Sequence, residues 1–184
     1  HPVLFVHRVE GLDPGLYLLE RSGAAEGVMR ELTRPTFARD PVSLGDSDLR
    51  LSLLEAGDTR SLARFVSCQQ AIAAESAFSL GMLSVFEESL TEGAWWYRRL
   101  FWEAGVLGQV LYMEAEAAGV RGTGIGCYFD DVVHETLGLE GTRLRDLYHF
   151  TVGGPVDDPR LATRPAYPES VHHRPRAARE TDAQ

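Results

Sequence analysis

The chain has 184 residues, of which 44% are hydrophobic and 24% are charged, and this composition is typical of one soluble globular domain. Its formal net charge of −9 argues against a nucleic-acid partner, whose phosphates require a basic surface. All 18 basic residues are arginine, a bias that we attribute to a GC-rich bacterial genome. Without lysine, the chain cannot form a Schiff base or a Walker-type phosphate site.

The two cysteines, Cys68 and Cys127, are far apart in sequence and form neither a CxxC redox pair nor a zinc ligand set. We therefore expect no metal site and a reducing, cytoplasmic compartment. No apolar run reaches the roughly 20 residues of a membrane span, so no membrane partner is expected. The chain begins in a strand-like segment without methionine, and we expect it to be a piece of a longer polypeptide.

The amino-terminal half predicts a β-hairpin followed by short elements. The hairpin turn is GLDPG, because its Asp-Pro-Gly triplet is typical of a tight turn. Asp58 is a candidate N-cap for a helix that extends to about Ala74. In chain order, the apolar pattern predicts strands at 3–9 and 16–20, a helix at 24–32, a loop at 33–48, a strand at 49–55, the helix at 58–74 and a buried strand at 77–86.

After a polar connection at 87–93, a long apolar helix begins at the tryptophan pair of EGAWWYRR. It ends at Gly119, because glycine suits the position just after a helix. A glycine inside a helix costs about 1 kcal/mol relative to alanine. Gly105 and Gly108 therefore require a reason, and the close approach of another backbone is the usual one.

The glycines at 119, 122, 124 and 126 indicate a loop whose backbone can lie against a flat or anionic ligand. The cluster is not a Rossmann fingerprint, because it follows a helix and because Cys127 stands three residues after Gly124. It is not a P-loop, since no Gly-Lys-Ser/Thr sequence exists. A tight turn that needs positive φ explains the glycines equally well.

The carboxy-terminal part predicts one more helix and one more strand. Asp130 or Asp131 is expected to cap a short helix that ends at Gly138, and a strand is expected at 145–152. Residues 168–184 have almost no apolar content, so we expect a disordered tail. Helices and strands mix irregularly, which favours an α+β layered fold over a regular βαβ fold.

The segment YRRLFWEAGVLGQVLYMEAEAAGVRGTGIGCYFDD, at 97–131, resembles the corresponding stretch of the nitroreductase superfamily, in particular its SagB-type dehydrogenase branch. Two upstream pieces, CQQAIAAESAF and GLDPGLY, also resemble that branch, so the likeness extends over about 11–160. The matching residues are Tyr97, Arg98, Glu103, Gly105, Gln109, Leu111, Gly119, Gly124, Gly126, Phe129, Asp130, Asp131, Leu137, Gly138, Val152 and Gly153.

The resemblance implies an α+β, nitroreductase-like domain at 1–167, with helices flanking an antiparallel sheet and a long central helix at a dimer interface. It implies a homodimer, or pairing with a tandem domain, and FMN bound at the interface. Such proteins transfer hydride between the flavin and a small organic molecule or a modified peptide. The stretch Gly124, Ile125 and Gly126 would lie against the isoalloxazine ring, where a side chain would obstruct stacking.

Three departures from the family pattern limit this resemblance. No arginine- and serine-rich segment for the FMN phosphate precedes His1, so we expect the domain to lack its amino-terminal segment. The Lys-Tyr pair of the thiazole- and oxazole-forming dehydrogenases is missing from EGAWWYRR, so that activity is not expected. Arg160 and Arg164 are candidate phosphate ligands after the last strand; the alternative is a solvated arginine paired with an acid.

Three glutamines, Gln69, Gln70 and Gln109, are candidates for hydrogen bonds to the flavin edge or the substrate. A buried amide that satisfies neighbouring backbone groups is an equally good interpretation. Cys127 has no histidine partner nearby in sequence, so a buried small hydrophobic role is favoured over a nucleophile. No catalytic residue is assigned.

Two other functions remain open. The chain could be a non-catalytic dimerisation or scaffold half of a larger protein, which the missing amino-terminal segment and the missing lysine favour. It could also be a peptide-binding scaffold in a complex that matures a natural product. Retention of the glycine cluster favours the enzyme.

Overall fold

The computed structural model describes residues 1–21, 26–45, 47–162, 164 and 167, and within these the chain forms seven strands and six helices. The strands are β1 (Pro2–Val6), β2 (Gly15–Glu20), β3 (Asp40–Val42), β4 (Arg50–Ala56), β5 (Phe78–Val85), β6 (Arg121–Ile125) and β7 (Leu144–Gly153). The helices are α1 (Glu26–Leu32), α2 (Arg60–Val66), α3 (Ala71–Glu75), α4 (Phe86–Leu90), α5 (Trp96–Ala117) and α6 (Asp130–Leu137).

One sheet organises the fold, with the strand order β3-β4-β2-β1-β5-β7-β6. Every neighbouring pair of these strands is antiparallel. The short β3 and the glycine-rich β6 form its two edges. The expected α+β class with an antiparallel sheet and a long helix is therefore confirmed.

The core lies on both faces of this sheet, because side chains alternate along each strand. In β1, Val3 and Phe5 face a cluster that includes Met29 of α1 and Val133 of α6. The opposite face carries Leu80 of β5 and packs against α5.

The long helix and the two predicted helix-ending glycines are confirmed. Helix α5 spans Trp96–Ala117, and Gly119 just beyond it has a φ of 73°. Gly138 ends α6 in the left-handed conformation, with a φ of 72°. These glycines stop the helices because the left-handed region is strained for residues that carry a Cβ.

Other predicted elements are wrong in detail. The single helix expected at 58–74 is two helices, because the turn between α2 and α3 holds Cys68 and Gln69 at φ values of 57° and 62°. The loop expected at 33–48 contains β3, and the connection expected at 87–93 overlaps α4. The glycines at 122 and 124 lie in β6, not in a loop.

The cap expected on α6 is also different. Phe129 occupies the N-cap position, and the two aspartates that follow lie in the first turn. There their negative charge interacts favourably with the positive end of the helix dipole. None of the helices in the described ranges is both long enough and apolar enough to cross a membrane. The tail expected at 168–184 lies outside the described residues.

Candidate functional site

Strand β6 packs its two glycines against aromatic side chains of the protein itself. A Cβ at Gly122 would lie 2.7 Å from the Phe150 ring, and a Cβ at Gly124 would overlap the Tyr148 hydroxyl. The backbone N–H of Gly124 donates a hydrogen bond of 2.7 Å to the Tyr112 hydroxyl of α5. The aromatic packing between β6, β7 and α5 therefore explains both glycines without any ligand.

The next two residues have different surroundings. Ile125 is buried in the hydrophobic core, with 2% of its surface exposed. Gly126, one residue beyond β6, is exposed, and a Cβ built on it would meet no protein atom within 4 Å. Of the three residues predicted to contact a flavin ring, Gly126 is the one whose backbone faces open space.

The turn between α2 and α3 borders this open backbone. The side-chain amide of Gln70 donates hydrogen bonds to the carbonyl oxygens of Ser67, at 3.0 Å, and Cys127, at 3.1 Å. The N–H of Phe129 donates to the carbonyl oxygen of Val66 at 2.7 Å. The structure thus brings together two segments that the sequence separates by almost sixty residues.

The two glutamines of this turn have different roles. Gln70 is half-buried, and its side-chain amide donates to two backbone carbonyl oxygens. This is the alternative in which the amide satisfies neighbouring backbone groups. Gln69 has an exposed side chain, and its carbonyl oxygen accepts a hydrogen bond of 3.2 Å from Nε of Arg64. The Gln69 side chain is therefore exposed on the turn whose neighbouring residues, Cys68 and Gln70, contact Cys127.

The remaining predicted site residues lie elsewhere. Gln109 is exposed on α5, one turn before Tyr112. Arg160 forms a bidentate pair with the Asp158 carboxylate, at 2.9 Å and 2.6 Å, and this guanidinium lowers the pKa of Asp158. Arg164 is exposed. Arg160 therefore has the geometry of the solvated, acid-paired alternative, and its role as a phosphate ligand stays a prediction.

Cys127 does not have the buried role that the sequence favoured. It is exposed, and its Sγ lies 2.6 Å from Sγ of Cys68, which is half-buried in the turn after α2. No sequence pattern indicates this contact, because neither residue lies in a spaced cysteine motif.

A buried polar network underlies the same region. The Asp146 carboxylate accepts a hydrogen bond of 2.5 Å from Nε2 of His149, and Nδ1 of His149 lies 3.2 Å from Oγ of Ser67. Ser, His and Asp are the residue types of a hydrolase triad. Ser67 is 0% exposed, however, so its hydroxyl cannot meet a substrate, and the network is structural.

An irregularity in β7 produces this network. Gly81 of β5 pairs with His149, whereas Leu83 pairs with Asp146, so β7 carries one extra residue in this interval. The bulge turns Asp146 and His149 toward the same side of the sheet, although residues three apart in a regular strand face opposite sides. Gly81 leaves the space, since a Cβ there would lie 3.0 Å from Nε2 of His149.

Tyr128 joins the open segment to the buried network. Its ring stacks on His149, with centroids 4.5 Å apart and an interplanar angle of 7°. Burial raises the pKa of Tyr128, so the phenol stays neutral at physiological pH. Because the neighbours of Cys68 and Cys127 both contact His149, the network fixes the position of the two segments beside Gly126.

Helix α5 exposes an apolar face, which we call the α5 face. It consists of residues at helical spacing, with exposed fractions of 66% for Trp102, 63% for Val106, 48% for Val110 and 63% for Met113. Gly105 lies beside them, and a Cβ there would meet no protein atom within 4 Å. A groove of about 790 Å³ runs between α5 and strands β1 and β5. An apolar surface of this extent is typical of a protein contact.

A solved structure resembles this architecture: a candidate nitroreductase from Anabaena variabilis, with a TM-score of 0.63 and 24% sequence identity. The fold is nitroreductase-like. The aligned region covers 84% of this chain but 27% of the Anabaena protein, so the chain spans about a quarter of that protein's length. No protein-family model matches the chain, and no curated protein shows significant similarity to it.

Two further solved structures show weaker likeness. Nitroreductase A from Vibrio parahaemolyticus has a TM-score of 0.48 and 20% identity, over 67% of this chain and 55% of its own. A candidate oxidoreductase from Bacteroides fragilis has a TM-score of 0.46 and 16% identity, over 58% of this chain and 48% of its own.

Proposed function

We propose that this chain is part of an FMN-dependent oxidoreductase of nitroreductase type, which transfers hydride between flavin and a small organic molecule or a modified peptide. The observation that carries the proposal is the open backbone of Gly126 in a nitroreductase-like fold, next to Cys127, which contacts the turn that carries the exposed Gln69. A flat ring needs such a surface, because a side chain would hold it away from the backbone. The SagB-type branch is our specific assignment, and the resemblance of the segment at 97–131 supports it.

The residues present fit the ring part of FMN. Gly126 offers unobstructed backbone, Gln69 offers an amide, and the segment that carries Gly126 is held by Gln70 and by Tyr128. Bound FMN would supply the hydride chemistry, which needs few protein acids or bases. Gln109 would act from the α5 face, on which a partner would lie.

The phosphate part of FMN is less well provided. Arg160 and Arg164 remain our proposed ligands, but Arg160 would have to exchange Asp158 for the phosphate. The exchange is chemically reasonable, because a guanidinium can bind either a carboxylate or a phosphate group through two hydrogen bonds. Further contacts would come from a partner, in keeping with the small share of the Anabaena protein that this chain spans.

We propose that the α5 face binds that partner, either a second copy of the chain or a tandem domain of a longer polypeptide. Val106→Arg would place a charge at the centre of the face, so a dimer should become a monomer in light scattering after size exclusion. Glu55→Arg, an exposed charge reversal on β4, is the control and should leave the assembly intact. A parent chain that is monomeric at every concentration would argue for a tandem partner.

The alternative is a non-catalytic scaffold half, and the Arg160 pair with Asp158 favours it, because the proposed phosphate ligand is already engaged. A peptide-binding scaffold in a maturation complex is a variant of the same idea. Both predict a colourless protein that takes up no FMN.

Flavin content tests the proposal directly. We expect the purified full chain to be yellow, or to become yellow with added FMN, and to release FMN when denatured. Gly126→Val should abolish uptake with unchanged circular dichroism, because the position has open space and no positive φ. Gly27→Val, at another open glycine in α1, is the matched control and should bind flavin like the parent. Equal flavin in the parent and Gly126→Val would remove Gly126 from the site, and a colourless parent would favour the scaffold.

A further inference from the structure

Cys68 and Cys127 form a contact between two free thiol groups at the protein surface. Both are free thiols, 59 positions apart, and their sulfur atoms are separated by 2.6 Å. A disulfide bond is about 2.05 Å long, so a covalent bond between them requires only a small movement. The chain has two cysteines, so neither has another partner within it.

The contact does not depend on the sulfur atoms to hold it together. On one side, the N–H of Phe129 bonds to the carbonyl oxygen of Val66; on the other, the Gln70 amide bonds to the carbonyl oxygen of Cys127. The rings of Phe65 and Phe129 also meet, with centroids 5.9 Å apart. These contacts join the two segments on both sides of the cysteines. They therefore keep the two thiols close together in the reduced protein.

The backbone at Cys68 is itself unusual. Cys68 has a φ of 57° and the next residue, Gln69, has a φ of 62°. Left-handed backbone at residues with a Cβ costs on the order of 1–3 kcal/mol and is concentrated at functional positions. Neither residue is glycine or asparagine, so the fold maintains this turn against its local cost. The turn brings the Cys68 sulfur to Cys127.

We propose that Cys68 and Cys127 form a reversible dithiol–disulfide couple that exchanges with low-molecular-weight disulfides such as glutathione disulfide. The Cys127 thiolate attacks one sulfur of the glutathione disulfide, and a sulfur–sulfur bond forms as the other glutathione leaves as a thiolate. The Cys68 sulfur, after losing its proton to solvent, then attacks Sγ of Cys127 and releases the second glutathione. Two protein thiols are oxidised and one small disulfide is reduced.

The surroundings of the two residues indicate the order of these steps. Cys127 is exposed and can meet a small disulfide, whereas Cys68 is half-buried. The contact with Cys127 raises the pKa of Cys68, so Cys68 keeps its proton until the mixed disulfide has formed. Cys127 is therefore the attacking residue and Cys68 is the resolving residue.

The bridge would tie the segment after Gly126 to the turn that carries Gln69. It would thus set the mobility of the backbone that we propose as the flavin site. The couple itself does not rest on that proposal, because its chemistry involves only the two thiols and a small disulfide.

Thiol counting on the full chain tests the couple. The reduced chain should incorporate two alkyl groups from iodoacetamide, one for each cysteine. After incubation with glutathione disulfide it should incorporate none, carry no glutathione, and yield a proteolytic fragment that joins the Cys68 and Cys127 peptides. Reduced glutathione in excess should restore both thiols. The Cys68→Ser variant, which lacks the resolving thiol, should instead retain one glutathione on Cys127.

Three results would overturn the proposal. Two alkylatable thiols after glutathione disulfide treatment would show that the native pair does not react. A stable glutathione adduct on Cys127 in the parent chain would show that Cys68 cannot resolve it. A bridge between two copies of the chain would show that the partner of each cysteine lies in another molecule. All three use the parent protein, so the outcome does not depend on the folding of a variant.

Discussion

Four glycines in or next to α5 and β6 fall into two classes that no sequence pattern separates. Gly108 of α5 and Gly124 of β6 lie against Tyr148, and a Cβ on either would collide with that side chain. Gly105 of α5 and Gly126 after β6 face open space. The first pair serves the packing of the protein, whereas the second pair leaves backbone accessible to something outside the chain.

This difference shows which part of the glycine cluster can serve a ligand. The sequence suggested that all of these glycines let a backbone or a flat ring approach. The structure assigns Gly108 and Gly124 to an aromatic cluster in which Tyr112, Tyr148 and Phe150 join α5, β6 and β7. Gly105 and Gly126 have no such packing role within the chain, so they are the positions that our proposals assign to a partner and to a ligand.

The largest effect is expected at Gly124. In Gly124→Val the new side chain overlaps the Tyr148 hydroxyl, and overpacking of this kind costs about 3 kcal/mol. The free energy of unfolding, measured with urea, should fall by that amount, whereas Gly126→Val should change it by less than about 0.5 kcal/mol, as for other surface positions. A similar loss in both variants would contradict the division into packed and open glycines.

A second substitution identifies the colliding group. Tyr148→Phe removes the hydroxyl that a Cβ at Gly124 would overlap, so Gly124→Ala should cost less in that background than in the parent. The double-mutant cycle measures this coupling directly. Additive losses would show that the strain arises elsewhere in β6.

A smaller and opposite pair of effects is expected in α5. Gly105→Ala should stabilise the chain by about 1 kcal/mol, because alanine is the better helix former and no protein atom is in the way. Gly108→Ala should instead destabilise it by about 1–2 kcal/mol, since the Cβ would lie 2.8 Å from the Tyr148 ring. Urea unfolding of both in the Val106→Arg background removes any contribution of a partner on the α5 face. If both substitutions changed the free energy of unfolding in the same direction, the distinction between the open Gly105 and the packed Gly108 would be wrong.

The sequence predicted the elements whose signals are local. Helix α5 has a long apolar pattern and ends at a glycine, and the hairpin of β1 and β2 has a turn triplet between two apolar runs. Strand β6 was missed because glycine is depleted in strands; its pairing with β7 holds it in the sheet. The break after α2 was missed because the left-handed residues there are cysteine and glutamine.

The candidate site was less predictable because its parts meet only in the folded chain. Gln69 and Gly126 are separate candidates in the sequence, and no pattern there indicates that their two segments contact each other. The contact of Cys68 with Cys127 and the bulge that pairs Asp146 with His149 arise from tertiary structure. Such contacts join residues far apart in sequence or depend on strand register, and neither feature leaves a periodic pattern.

Mild acid should lower the free energy of unfolding by a smaller amount than the glycine substitutions do. His134 of α6 is buried, and burial lowers its pKa, with the nearby Arg145 charge acting in the same direction and Asp130, Asp131 and Asp146 opposing it. Its pKa is therefore lower in the folded chain than in the unfolded chain, where it is about 6.5. Below that pH the unfolded chain binds more protons, so the free energy of unfolding falls as the pH falls and is flat above it.

His7 should act in the same direction, because burial lowers its pKa as well. Its Nε2 lies 2.9 Å from the carbonyl oxygen of Ala73, and its Nδ1 lies 3.3 Å from the Thr59 hydroxyl, an arrangement that suits the neutral ring. We expect the melting temperature to fall between about pH 7.5 and pH 5, above the range in which carboxylates titrate. His134→Gln and His7→Gln should each flatten this dependence, whereas Gly126→Val should leave it unchanged. An unaltered slope in both histidine variants would mean that the acid sensitivity arises outside these two interior sites.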